Sequence, residues 1–389
     1  MAIIEVVFWV LVVIVFYAYI GYGIILWLLV KVRKLFEGKE MHHKPITFQP
    51  PVTLVIPAFN EEDFIGSKIE NTKMLDYPKE LLQVIFITDG STDQTPLIIS
   101  EHSQFTLMHN PERKGKIAAM NRAMRAVTTP YVIFCDANTL LNSASIKEIV
   151  QHYVDEEVGG VAGEKKVIDI NSAGAGESLY WKYESMLKKL DSDFYTVVGA
   201  AGELFSFRTD LFEEIEEKVL LDDFIISLTI CKKGYKVVYE PNAYAMEQPS
   251  ASIREEQKRK VRISAGAFQS IIMLKSILNI FKYPRLSFLY ISHRVLRWAV
   301  CPFCLPLIFL LNIIALSTNN KIYEWLMALQ CVFYFLALLG WYFLKSGRKA
   351  RFLNFPFYFL FMNISLYQGL VRFLKRKQTV LWEKSKRNA

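Results

Sequence analysis

The chain has 389 residues; 52% are hydrophobic, 14% aromatic and 22% charged, which excludes a disordered or fibrous protein and argues against a wholly water-soluble one. Lys and Arg outnumber Asp and Glu by 46 to 38, and the net charge of +8 fits nucleic acid, anionic lipid or a phosphorylated substrate as a partner. Five cysteines at irregular positions exclude a disulfide framework and fit a catalytic portion in the reducing cytosol.

The first predicted element is a membrane-spanning helix at the N-terminus. Residues 2–30 carry a single charge, Glu5, and are long enough to cross a hydrocarbon core of about 30 Å. The stretch lacks a basic start and a small-residue cleavage site, so we interpret it as an uncleaved anchor. Lys31, Arg33 and Lys34 follow at once, and the positive-inside rule then places residue 35 onward in the cytoplasm.

The next segment, residues 45–262, has the rhythm of an α/β domain. Short apolar runs rich in β-branched residues predict strands at 52–56, 82–88, 105–108 and 131–135. Helical patterns lie between them at 61–75, 94–102 and 115–127. Continuously apolar strands that alternate with helices predict a doubly wound α/β domain, in which a parallel sheet is covered on both faces.

Polar side chains collect at the points where these strands end. Asn60 and Glu61 follow the first strand, which Pro57 ends, Asp89 and Asp93 follow the second, and Asp136 and Asn138 follow the fourth. One acidic turn is ordinary, because Asp and Asn form turns and helix N-caps. Three such turns bring several carboxylates into one crevice, where they repel one another unless a cation or hydrogen-bond donors join them. The pattern therefore predicts either a divalent metal, or ribose hydroxyl and base N–H groups.

The loops do not carry the signatures of several common enzyme classes. Neither Gly-x-Gly-x-x-Gly nor the Walker pattern follows the first strand, and the chain has no Gly-x-Ser-x-Gly elbow. Instead, Arg113, Lys114 and Lys116 precede a predicted helix. A helix start flanked by lysines suits an anionic diphosphate, although a solvated basic loop would give the same pattern.

In their order along the chain, these motifs resemble the successive signatures of family 2 glycosyltransferases. The matching segments are 55–62, 89–93, 114–121, 136–138, 221–224 and 234–241. The resemblance covers about residues 50–270, and the flanking apolar segments resemble those of membrane-embedded bacterial members related to polysaccharide synthases. It implies a nucleotide-diphospho-sugar transferase (GT-A) domain of α/β class, with N-terminal and C-terminal transmembrane helices.

The resemblance also implies how a nucleotide-sugar is bound. Asp89 corresponds to the aspartate that contacts the nucleotide base or ribose, helped by Pro57 and Glu61 of the turn after the first strand. Lys116 matches a lysine that lies near the nucleotide. We therefore expect these residues to form the nucleotide end of the site.

The resemblance implies that the remaining acidic residues bind a metal ion and act in catalysis. Asp136 matches the first aspartate of the D-x-D motif, which contacts the nucleotide and a Mg2+ or Mn2+ ion, and Asn138 holds the second metal-binding position with an uncharged oxygen. Asp223 aligns with the catalytic base of inverting members, and Asp222 replaces the usual glutamate before it. Such a base takes the proton of the acceptor hydroxyl. Alone, the pair would be interpreted as N-cap residues of a helix at 224–232.

The last motif departs from the family pattern. Processive relatives carry Gln-x-x-Arg-Trp, where this chain has Arg259-Lys-Val-Arg262-Ile263. Arg262 keeps the arginine suited to a bidentate diphosphate contact, and we expect Arg259 to assist it in nucleotide-sugar binding. Ile263 stands where tryptophan would stack under an acceptor sugar. The missing aromatic side chain favours the transfer of one or a few sugars.

The C-terminal part is predicted to return to the membrane. Residues 263–297 suggest amphipathic helices at the membrane surface, or helices packed on the soluble domain, and apolar runs follow at 298–317, 323–344 and 352–370. Three spans after a cytoplasmic domain place the C-terminus outside, whereas the basic tail 373–389 favours the inside. Either one run is interfacial or re-entrant, or the count of spans is wrong.

The sequence thus predicts a multi-pass protein of the inner (plasma) membrane with a cytoplasmic, metal-dependent, inverting hexosyltransferase domain. We expect a UDP-sugar donor and a lipid-linked or saccharide acceptor, for the synthesis of surface polysaccharide, exopolysaccharide or glycolipid. Membrane lipids rather than nucleic acid account for the basic residues, because these cluster beside the apolar runs. The alternatives are a processive polysaccharide synthase that secretes its polymer, and a non-catalytic transport or scaffold protein that senses nucleotide-sugars.

Overall fold

The computed structural model describes residues 2–36, 48–167, 175–250, 252–346 and 351–376. These residues fall into two compact units. The sheet unit holds those of Lys34–Ile168 and Glu184–Ala251, and the helical unit holds those of Met1–Arg33, Asp169–Tyr183 and Ser252–Lys377. The predicted domain start at 45–47, most of the predicted basic tail (377–389) and residues 347–350 between the last two predicted apolar runs lie outside the described residues.

The helices and strands alternate through the first half of the chain, and helices dominate the second half. The strands are β1 (Val52–Ala58), β2 (Leu82–Asp89), β3 (Thr106–Asn110), β4 (Tyr131–Phe134), β5 (Thr139–Leu141), β6 (Val158–Val167), β7 (Phe205–Arg208) and β8 (Lys236–Glu247). The α-helices are α1 (Ala2–Phe16), α2 (Tyr22–Phe36), α3 (Glu62–Lys73), α4 (Thr95–Ser100), α5 (Lys116–Met124), α6 (Ser145–Gln151), α7 (Ala175–Phe194), α8 (Asp222–Lys232), α9 (Ile253–Met273), α10 (Pro284–Tyr290), α11 (Cys301–Ala315), α12 (Lys321–Lys345) and α13 (Asn354–Leu374).

The strands of the described residues form one mixed sheet in the order β3-β2-β1-β4-β7-β6-β8-β5. β3, β2, β1 and β4 are parallel, as the apolar runs predicted. β7 is antiparallel to both of its neighbours, β4 and β6, while β8 runs parallel to β6 and antiparallel to β5. The parallel half therefore brings the turns after β1, β2 and β4 to one edge of the sheet.

β1 lies at the centre of the parallel half and is buried along its whole length. Leu54 and Ile56 pack in one core cluster with Ile65 of α3. The strand continues through Pro57 to Ala58, beyond the end predicted from sequence. Proline is tolerated there because β4 pairs with β1 only as far as Val55, so no partner on that side needs an N–H from residue 57.

The helical unit contains the apolar segments of the chain. Among the described residues, the helical segments Ala2–Phe36, Pro284–Thr318, Lys321–Lys345 and Asn354–Leu374 are long and apolar enough to cross a membrane. Each overlaps one of the predicted apolar runs. Large apolar side chains point outward from them, including Trp325 at 71% exposure, as a hydrocarbon surrounding requires.

α9 and α13 pack closely within the helical unit. A Cβ atom on Gly369 of α13 would lie 2.4 Å from Cβ of Ser264, so the two helix backbones approach each other where glycine leaves room. α9 runs without interruption from Ile253 to Met273. The predicted boundary between residues 262 and 263 thus falls inside this helix.

Candidate active site

A cavity opens in the sheet unit, beside the carboxyl ends of β1 and β4 and the first turns of α5 and α8. It is lined by Pro57, Lys116, Met120, Phe134, Cys135, Asp136, Gly202, Phe205, Asp222, Asp223 and Ile226. Of the predicted site residues, this lining includes Pro57, Lys116, Asp136, Asp222 and Asp223. Residues that are 166 positions apart in the chain are therefore brought to one place.

Each charged side chain of the cavity stands at the end of a regular element. Lys116 is the first residue of α5 and follows Gly115, whose φ of 103° is a conformation that side chains other than glycine's rarely permit. Asp136 comes just after β4. Asp222 and Asp223 are the first two residues of α8, which begins two residues before the predicted start at Phe224, and Leu221 occupies the N-cap position without a side-chain hydrogen bond. Acids in a first helical turn are favoured by the helix dipole.

Lys116 contacts two of the acidic side chains of the cavity. Lys116 Nζ donates a hydrogen bond to Asp136 Oδ1 at 2.9 Å and lies 3.7 Å from Asp222 Oδ2. A Cβ atom on Gly202 would lie 3.4 Å from Lys116 Nζ and 3.5 Å from Asp223 Oδ2, so both groups face the backbone at that glycine. Asp223 Oδ1 accepts the backbone N–H of Phe224 at 2.9 Å.

Burial and charge shift the pKa values of these groups. Burial and the neighbouring Asp222 carboxylate raise the pKa of Asp223 to about 7. Burial also raises the pKa of Asp136, although Lys116 opposes the shift. For Lys116, burial disfavours the charged amine, but the carboxylates of Asp136 and Asp222 outweigh it and raise the pKa. The lysine is therefore charged, whereas Asp223 can both hold and release a proton near neutral pH.

Three charged residues close to the cavity were missed by the sequence analysis. Lys165 of β6 is 3% exposed and forms ion pairs with Glu203 and with Glu247 at the end of β8. Burial opposes ionisation of Glu203, but Lys165 outweighs it and lowers the pKa. Glu203 also helps to raise the pKa of Asp136 and of Asp223, so it acts on the same site. No sequence signal pointed to this group, because β6 was not predicted as a strand.

The donor set can be tested for its fit to a divalent metal. Asn138 Oδ1 is buried and accepts no hydrogen bond within the described part of the chain, which suits an atom meant for a cation. No group of three or more His, Cys, Asp or Glu side chains that could hold a metal occurs among the described residues. Mg2+ and Mn2+ commonly bind one or two protein oxygens and complete their shell with substrate phosphate and water. Asp136 lines the cavity, whereas Asn138 does not, so a cation shared by these two residues and a diphosphate stays a prediction.

Asp89 lies beside the cavity rather than in its lining. Its Oδ2 accepts the backbone N–H groups of Lys114 (3.0 Å) and Gly115 (2.6 Å), the residues just before α5. Its Oδ1 is buried and has no hydrogen-bond partner among the described residues. Asp89 thus fixes the loop that carries Lys116. Glu61 is buried as the N-cap residue of α3, and its backbone N–H donates to Thr95 Oγ1 at 2.8 Å.

The two predicted arginines belong to the helical unit. Arg259 and Arg262 lie on α9, and Arg259 is hydrogen-bonded to Glu256, one turn earlier on the same helix, at 3.1 and 3.2 Å. Tyr358 of α13 donates to the same glutamate. Their role in nucleotide-sugar binding stays a prediction.

Comparison with known proteins identifies the class. Residues 53–216 match the model of glycosyl transferase family 2. Poly-β-1,6-N-acetyl-D-glucosamine synthase of Staphylococcus aureus (strain MSSA476) is 23% identical over 245 residues, 60% of this chain and 58% of the relative. A probable glycosyltransferase, YdaM of Bacillus subtilis (strain 168), is 24% identical over 252 residues, 61% of this chain and 59% of the relative. The chain thus spans less than two thirds of the length of these relatives.

A solved structure matches nearly the whole chain. The mannosyltransferase PcManGT from Pyrobaculum calidifontis, in complex with GDP-Man and Mn2+, superposes with a TM-score of 0.74 at 22% identity, covering 96% of this chain and 100% of that one. The protein therefore has the mixed α/β sheet of a GT-A glycosyltransferase, together with helices apolar enough to span a membrane. It carries a family 2 glycosyltransferase domain, and the predicted family and fold are confirmed.

Proposed function

We propose that the protein is an inverting, metal-dependent membrane glycosyltransferase that moves a sugar from a nucleoside diphosphate donor, a UDP-sugar, to a hydroxyl of a lipid-linked or saccharide acceptor. One observation carries the proposal: a single cavity holds the Lys116–Asp136 ion pair and, close to it, an aspartate whose pKa is raised to about 7. The first pair suits a diphosphate and its counter-ion, and the second group suits proton transfer.

The donor end of the site would be held by the loops after β1, β2 and β4. Lys116 supplies a fixed positive charge to the diphosphate, and Asp89 keeps its loop in place through the two backbone N–H groups. Pro57 lies near the end of β1, and Glu61 follows that strand at the start of α3. We expect the nucleoside to bind on this side. A Mg2+ or Mn2+ ion held by Asp136 and Asn138 would supply further positive charge to the leaving diphosphate.

Asp223 is the proposed general base, and its Oδ2 is the proposed proton acceptor. Oδ1 already accepts the N–H of Phe224, whereas Oδ2 faces the cavity beside Gly202. The acceptor hydroxyl loses its proton to Oδ2 as its oxygen bonds to the anomeric carbon, and the bond from that carbon to the diphosphate oxygen breaks. Attack opposite the leaving group inverts the configuration. Burial raises the pKa of Asp223, and the Asp222 carboxylate assists by raising it further.

The membrane role follows from the composition of the helical unit. Four helices long and apolar enough to cross a bilayer occur among the described residues, and basic residues flank the apolar runs. We propose a plasma-membrane protein whose catalytic domain faces the cytoplasm, with contacts to anionic lipid headgroups. A lipid-linked acceptor would then be presented at the same surface, for surface polysaccharide or glycolipid synthesis.

A second candidate is a processive polysaccharide synthase that secretes its polymer. Similarity to poly-β-1,6-N-acetyl-D-glucosamine synthase favours it, whereas Ile263 in place of an aromatic platform favours short products. Product length decides between them, since a ladder indicates processive synthesis and one or a few additions support the first candidate. A non-catalytic sensor is disfavoured because it needs no raised-pKa base beside the lysine.

The test is release of nucleoside diphosphate by the full-length protein in detergent with lipid extract as acceptor. UDP-sugars and GDP-sugars are supplied in turn, each with Mn2+ or Mg2+. We expect UDP release with at least one UDP-sugar, and a large loss in Asp223→Asn. Asp210→Asn, a surface acid of the same unit, serves as the control and should behave as the wild type. No release from any donor would contradict the proposal. Release of GDP alone would mean that the donor nucleotide carries guanine instead of uracil.

A further inference from the structure

The mechanism above does not use Lys68, a completely buried lysine of α3. Its Nζ donates to the carbonyl oxygen of Thr139 at 2.8 Å and contacts Cys135 Sγ at 2.8 Å. It forms no ion pair with any described residue. A buried ammonium without a carboxylate partner costs folding free energy that a methionine of similar length would avoid. The lysine therefore calls for a functional explanation.

The two contacts of Lys68 lie on either side of the proposed cation ligands. Cys135 immediately precedes Asp136, and Thr139 immediately follows Asn138. The turn between them is closed by Thr139, whose Oγ1 donates to the carbonyl oxygen of Asp136 at 2.9 Å. Lys68 thus holds both ends of a five-residue turn without reaching the cavity itself.

A second residue of α3, Asn71, forms hydrogen bonds with the strand that follows this turn. Asn71 lies one helical turn after Lys68, on the same face of α3. Its Nδ2 donates to the carbonyl oxygen of Leu141 at 2.8 Å, and its Oδ1 accepts the N–H of Leu141 at 2.8 Å. These paired bonds fix β5 to α3 just beyond the turn. Ligand oxygens need to be held within about 0.5 Å for tight binding, and a helix can hold them more rigidly than a loop alone.

We propose that Lys68 and Asn71 position the turn Asp136–Asn138 and thereby set the affinity for a divalent cation together with a nucleoside diphosphate. The proposal rests on the proposed function, because that function makes Asp136 and Asn138 the ligands. Both are positioning residues, since neither lines the cavity. If Lys68 only filled space, its replacement by methionine would leave cation binding unchanged.

The test measures Mn2+ binding by electron paramagnetic resonance on the full-length protein in detergent with UDP present. Lys68→Met removes the charge and keeps most of the side-chain length. Lys73→Met is the matched control, because it makes the same change on the same helix at a partly exposed lysine paired with Glu70. We expect Lys68→Met to weaken Mn2+ binding about tenfold or more, the usual effect of losing a group that orients ligands. Lys73→Met should match the wild type.

Turnover supplies a second measurement that a purely structural role would not move. In Lys68→Met, the Mn2+ concentration for half-maximal turnover should rise, while kcat at saturating Mn2+ should largely recover. A variant that melts as the wild type does and binds Mn2+ with wild-type affinity would overturn the proposal. If Lys68→Met does not fold, Asn71→Ala decides, with weaker Mn2+ binding supporting the proposal and unchanged binding overturning it. Wild-type protein that binds neither Mn2+ nor UDP refutes the proposed function and this assignment together.

Discussion

Replacing Asp223 by asparagine tests the assignment of the general base most directly. The amide is nearly isosteric and can still accept the N–H of Phe224, so α8 should keep its first turn. It cannot accept the acceptor's proton. We expect kcat to fall strongly while the KM for the nucleotide-sugar changes little, because donor contacts are assigned to other residues. Initial rates of UDP release give both parameters.

The expected size of the loss in kcat follows from the role of Asp223 as a general base. Positioned general bases contribute about 10²- to 10⁴-fold to a rate, which corresponds to roughly 3–5 kcal/mol in the activation free energy. Asp223 should fall within this range because its pKa of about 7 lies close to the working pH, where a base is both available and strong enough. A loss below about tenfold would mean that another group takes the proton.

The pH profile provides an independent check with a defined sign. Asp223 must be ionised to act, and its pKa is raised to about 7, so wild-type kcat/KM should rise with pH through that value. Asp223→Asn has no carboxyl group there and should show a flatter profile. A wild-type profile without an inflection between about pH 6 and pH 8 would contradict the assignment.

The raised pKa of Asp223 also predicts that Asp223→Asn becomes more stable while it loses activity. A carboxyl whose pKa is raised on folding contributes stability at low pH and loses it as the pH rises through the folded value. Ionised Asp223 therefore disfavours the folded state above about pH 7, and Asp223→Asn should raise the apparent melting temperature by a few degrees at about pH 8. An inactive variant that melts below the wild type would show disruption of the fold instead and would refute the reasoning.

Three further predictions address the rest of the site. Lys116→Met should raise the donor KM about tenfold or more, measured by UDP release, because the charge opposite the diphosphate is lost. Gly202→Ala should lower kcat with an unchanged melting temperature, because its methyl group enters ordinary contact with Lys116 and Asp223. Gly199→Ala should instead lower the melting temperature, because φ of Gly199 is +92° and a Cβ atom there would lie 2.2 Å from Phe224. Chelation of divalent metal should abolish UDP release, and Mn2+ or Mg2+ should restore it; undiminished release would refute metal dependence.

The parallel half of the sheet was readable from the sequence for a simple physical reason. β1, β2 and β4 are buried on both faces, so their sequences are continuous apolar runs. The other half gave no such signal. β5 has three residues, and β6 contains three glycines and two lysines, so neither stands out as an apolar run. Their places in the sheet depend on pairing between distant strands, which local patterns do not specify.

The site was predictable where a residue follows a recognisable strand and not where the fold alone assembles it. Asp136 and Lys116 were found from their motifs. Lys165 and Glu247 become neighbours only because β6 and β8 pair in parallel, with Lys165 opposite Ala245. For Asp89 the motif gave the position but not the direction of the carboxylate, one oxygen of which is held by the loop before α5.

Geometry within the cavity distinguishes the three aspartates. Asp136 receives a hydrogen bond from Lys116, and Asp222 lies in ion-pair distance of the same ammonium, so a proton transferred to either would weaken an existing charge pair. Asp223 has no such bond to the lysine, and its Oδ2 faces the cavity. Moreover, a proton on Asp223 relieves both the cost of burying a charged carboxylate and the repulsion with Asp222, which together raise its pKa to about 7. Acceptance of the substrate proton is therefore least costly at Asp223, and the other two acids are better suited to cations.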